Sequence, residues 1–68
     1  MNASLRTAYA AVIAEADAKA QQHEQERAAL DTHSRTYKRD YANRTRWAEA
    51  QRTKADRHRA IAEAKEQG

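Results

Sequence analysis

The chain has 68 residues, with 13 Lys/Arg, 10 Asp/Glu, no Cys and no Pro. That length holds at most one domain, residues 1–68, and the missing thiols exclude a disulfide framework or a thiolate metal site. Seventeen residues are Ala and only ten are larger apolar or aromatic types. At about 25 cal/mol per Å² of buried apolar surface, so few bulky side chains barely offset the entropy lost on ordering, and stability has to come from helix propensity and from a partner.

Scarce large aliphatics among many charges also mark disordered chains. Abundant Ala, Glu, Gln, Lys and Arg argue the other way, because these are the strongest helix formers. Gly68 is the only glycine, so no strong breaker interrupts the sequence. The expected class is all-α: a two-helix antiparallel hairpin assembling into a helical bundle, with one long helix in a coiled coil as the alternative.

The first helix is expected over residues 3–30. Leu5, Tyr9, Val12 and Ala16 recur at steps of four and three, and His23 and Leu30 continue the same face, which is a heptad rhythm with polar interruptions. Glu15 and Lys19 stand four apart in the favourable order for a helix ion pair. Ala8 to Ala14 is an apolar run too short to span a membrane and is ended by Glu15. With no transmembrane segment expected, the default location is cytoplasmic.

The helical signal weakens at Asp31-Thr32-His33-Ser34. Asp31, Thr32 and Ser34 are all capping types, so the turn is expected at 31–34. Leu30 is nevertheless in phase with Tyr37, as a single continuous helix requires.

The second helix is expected over residues 34–65. At about 100° per residue, Tyr37, Tyr41, Ala48, Ala55 and Ala62 share one stripe, and Arg35, Lys38, Arg39, Arg46 and Arg57 gather roughly opposite. Alanines spaced by seven let two helix backbones approach closely. Arg44, Gln51 and His58 fall between them, while Trp47 and Ile61 flank the seam. The self-association seam is therefore expected to comprise Leu5, Tyr9, Val12, Ala16, Leu30, Ala48, Ala55 and Ile61.

Charge is divided unevenly. Residues 1–34 carry three bases and five acids, net −2, and residues 35–68 carry ten bases and five acids, net +5. Either the halves attract each other as an antiparallel pair or the basic half meets an acidic partner.

Signals for chemistry are poor. His23-Glu24-Gln25-Glu26-Arg27 begins like H-E-x-x-H, but Arg27 stands where the second imidazole must be. His23 with Glu26 is at most half a metal site, and a polar seam residue is the simpler reading. His33 beside Ser34 is only a sequence neighbour, not a nucleophile and its base. No cofactor, no metal and no enzymatic activity are expected.

Binding is better supported. Tyr, Trp and Arg are the types enriched in interface hot spots. The expected partner-binding set is Arg35, Tyr37, Arg39, Tyr41, Arg44, Arg46 and Trp47, facing a protein with an acidic, partly apolar surface. A homo-oligomer, in the simplest case a homodimer, is expected as well. The alternative is nucleic acid, RNA or DNA: between Arg35 and Arg59 there are nine Lys/Arg and three acids, interleaved with aromatics suited to stacking on bases. The layout resembles small two-helix hairpins that pair into four-helix bundles. The compact Ala/Arg-rich format is similar to that of bacterial and phage accessory proteins that bind and regulate or inhibit a host factor.

Overall fold

The computed structural model describes residues 3–67, with side chains from Leu5 to Lys65. Two helices, α1 (Ala3–Ala28) and α2 (Tyr37–Gln67), pack against each other as an antiparallel hairpin. The helical class and the hairpin follow the sequence expectation; the continuous helix does not form. The turn is longer than expected: α1 stops two residues earlier than residue 30, and α2 starts at Tyr37 rather than 34.

The turn chemistry explains those boundaries. Without a glycine to enter the left-handed region, no described residue has positive φ. α1 instead closes by tightening, with the Leu30 amide donating to the Arg27 carbonyl at 3.2 Å, the short-range bond typical of a fraying last turn. Asp31 then folds the chain back: its Oδ1 accepts the His33 amide at 2.9 Å and its carbonyl accepts the Ser34 amide at 3.0 Å. This is an Asx turn, and it uses the residues that otherwise serve as helix caps. Thr36, just before Tyr37, caps the start of α2. Its carbonyl accepts the Asp40 amide at 2.9 Å, the first helical bond, and its hydroxyl donates to Asp40 Oδ2 at 2.8 Å. Asp40 in the first turn also complements the positive end of the helix dipole.

The core is made of alanine. Ala16, Ala20, Ala48 and Ala55 are the buried apolar residues, and no larger side chain is fully buried among the described residues. Small residues at the contact allow the helix axes to approach toward the short end of the usual ~8–10 Å range. Ala20 was not among the expected seam residues, yet it is completely buried. Several expected seam members lie at the margin instead: Leu5 and Ile61 are exposed, and Tyr9, Val12 and Leu30 are half-buried. Between Ala48 and Ala55, the Gln51 Oε1 is buried with no hydrogen-bond partner among the described residues.

The hairpin is elongated. Its Cα radius of gyration is 15.7 Å, against about 11 Å for a compact domain of the same length. Among the described residues, no helix is long and apolar enough to cross a membrane.

Candidate interaction surface

Charge distinguishes the two flanks of the hairpin. On one, acids of α1 at a seven-residue interval meet arginines of α2 at the same interval. Arg52 reaches both Glu24 (2.7 Å) and Asp17 (3.3 Å), and Arg59 bonds Asp17 as well. The hydrogen bond that Arg52 donates to Glu24, then the charges of Glu24 and Asp17, raise the Arg52 pKa above its ordinary value, with partial desolvation opposing. Nearer the turn, Arg27 donates to Thr45 Oγ1 at 3.0 Å and lies 5.2 Å from the centre of the Tyr41 ring.

The other flank is built around Arg44 and Trp47. Arg44 Nη1 is 2.5 Å from Glu26 Oε2 and donates toward His23 Nδ1 at 3.4 Å. The same guanidinium sits 5.1 Å from the Trp47 ring, within cation–π range. Trp47 also leans on His23, with ring centroids 5.6 Å apart. His23 and Glu26, half of a metal site in the sequence reading, therefore both face the Arg44 guanidinium. No cluster of three or more His, Cys, Asp or Glu is present among the described residues. A cleft of about 210 Å³ opens here, lined by Leu30, Asp40, Asn43, Arg44 and Trp47. Farther along, Tyr9 contacts His58, whose Nδ1 donates to the Lys54 carbonyl at 2.8 Å.

The seven residues expected to bind a partner do not form one patch. Tyr41 and Trp47 stand six residues apart, about 120° around the helix. Tyr37 stacks near Tyr41, with centroids 5.8 Å apart, on the Arg27 side. Arg44 is half-buried and occupied by α1. Arg35, Arg39 and Arg46 are exposed, and Arg39 pairs with its neighbour Asp40. Arg35, Lys38, Arg46 and Arg57 have no ion-pair partner among the described residues. The contributions of Asp17, Glu24, Glu26 and Arg27 from α1 are not among the expected contacts, whereas His23 is, as a polar seam residue. The readable signal was the matching seven-residue spacing of Asp17–Glu24 and Arg52–Arg59.

No protein-family model, curated protein or solved structure matches this chain.

Proposed function

We propose that this protein binds and regulates a protein partner in the cytoplasm, without catalytic turnover, through the exposed aromatic and cationic groups on its two flanks near the turn end of the hairpin. One observation carries the reading. The core buries nothing larger than alanine, yet Trp47 and Tyr41 are held 44% and 42% exposed, each beside an arginine. An exposed aromatic ring fixed by a neighbouring guanidinium is already ordered, so burying it against a partner costs little further side-chain entropy. Trp, Tyr and Arg are also the types that dominate interface energetics. The test is affinity capture from the native host with wild-type protein and with Tyr41→Ala/Trp47→Ala. A defined protein retained by the wild type and lost by the double variant, with helicity unchanged, supports the reading. Equal capture by both sinks it.

A second reading, contact with nucleic acid, is favoured by the exposed cations Arg35, Lys38, Arg46 and Arg57, which form no ion pair among the described residues. A polyanion supplies the missing counter-charge and releases condensed ions on binding.

A further inference from the structure

We propose that the flank carrying Val12, Leu30, Trp47 and Ile61 is the contact for a second copy of this chain, producing a four-helix assembly. The inference rests on the protein-binding reading and names its occupant.

Three observations support the proposal, two of them specific to that flank. The first is sidedness. Val12 and Leu30 lie 18 residues apart on α1, which is five turns of a helix, so they share one row. Trp47 and Ile61 lie two heptads apart on α2 and share another. The His23–Trp47 and Glu26–Arg44 contacts bring the two rows together on the same side, and Leu30 and Trp47 line one cleft. Trp47 and Ile61 are 44% and 37% exposed, and Val12 and Leu30 are half-buried. The opposite flank is closed by Asp17, Glu24, Arg52 and Arg59.

The second is area. A folded chain of 7.8 kDa exposes about 4,400 Å² on the usual surface-to-mass relation, whereas this hairpin exposes 5163 Å². The surplus, roughly 800 Å², comes from the elongated shape of the whole hairpin, and pairing along its length with a second copy, at about 800 Å² per partner for a standard interface, would remove an area of that size.

The third is charge. A two-fold interface requires a self-complementary patch. Between the apolar ends of this flank stand Glu15, Lys19 and Lys54, with Lys19 Nζ 2.9 Å from Glu15 Oε1 and Lys54 close enough to help hold the Glu15 pKa down. Both signs are therefore present where two copies meet.

Sedimentation equilibrium over a dilution series tests the proposal. The expected mass at high concentration is twice 7.8 kDa, with a melting temperature that rises with concentration. Trp47→Ala and Ile61→Ser are expected to weaken self-association about tenfold or more, whereas Thr53→Ala, exposed on the outer side of α2, leaves it unchanged. Because Trp47 and Ile61 lie outside the alanine core, circular dichroism should report the same helicity for each variant. A wild-type chain that stays monomeric at every concentration overturns the second-copy inference. Dimers indifferent to both Trp47→Ala and Ile61→Ser also overturn it, by placing the interface elsewhere. If the chain is monomeric but captures a different protein in a Trp47-dependent way, only the choice of occupant has failed. Loss of that capture removes the binding reading itself.

Discussion

Arg52 and Glu24 are joined at 2.7 Å between residues 28 positions apart in the chain, and the same guanidinium also reaches Asp17. The link fixes the register of α2 against α1, because a slip of one residue turns the arginine row away from the acids. Both partners are substantially exposed, so water and salt screen the attraction. Arg52→Glu places three acids together and is expected to lower the melting temperature at low salt. Adding salt should narrow the gap between variant and wild type, and Arg52→Glu combined with Glu24→Arg should recover part of the loss. A variant that melts with wild type at low ionic strength means that the pairing contributes nothing to the fold.

Ala20 and Ala55 are both completely buried, and their size sets how closely the helices approach. Leucine at either position requires the backbones to separate or the side chain to leave its preferred rotamer. Ala20→Leu or Ala55→Leu should each cost about 1–3 kcal/mol in urea unfolding. The same change at exposed Ala60 should stay within about 0.5 kcal/mol. Equal effects at all three sites would mean that the alanine seam does not determine packing.

The seven-residue spacing of Ala48 and Ala55 and the rhythm through Ala16 made most of this seam readable in the sequence. Ala20 was not readable, because alanines at 14, 16, 18 and 20 alternate and provide no contrast between faces. The turn was placed correctly but drawn too short: Asp31 spends its side chain on an Asx turn, so Thr36 becomes the helix cap. Leu30 and Tyr37 are in phase, yet the chain reverses between them through the Asp31 turn, and the acidic first half packs against the basic second half. That attraction was legible as net charge. Which arginine finds which acid was not, because pairing depends on the turn length that sets the antiparallel register. Arg44 was accordingly assigned to an outside partner, although Glu26 and His23 occupy it.

Glu15 provides a titration check. The hydrogen bond from Lys19, then its charge, hold the Glu15 carboxyl below its ordinary value of 4.5. A lowered folded-state pKa stabilises the fold above the unfolded value and is lost as pH falls through the folded one. Helix support from this pair should therefore be intact at neutral pH and disappear only on the acid side of 4.5. Carboxyl chemical shifts followed by NMR should give a Glu15 midpoint below that of an unfolded peptide, and Lys19→Ala should move it upward. An unmoved midpoint in Lys19→Ala means that the ion pair does not persist in solution.

The outer side of α2 separates the two binding readings. Arg46 and Arg57 are exposed there and form no ion pair among the described residues. Arg52 and Arg59, by contrast, are already neutralised by acids of α1. If nucleic acid is a ligand, the outer arginines carry it. Affinity for duplex should then fall with salt at a log–log slope near −0.9 per phosphate contacted, about −3 to −4 if Arg35, Lys38, Arg46 and Arg57 each contact one. Arg46→Glu with Arg57→Glu should abolish binding and leave helicity unchanged. Fluorescence anisotropy with labelled duplex and single strand, titrated at several salt concentrations, measures both quantities. Absence of binding at low salt, or binding indifferent to the double reversal, eliminates the nucleic-acid reading. The protein-binding reading survives that result, because it depends on Tyr41 and Trp47 rather than on the outer arginines.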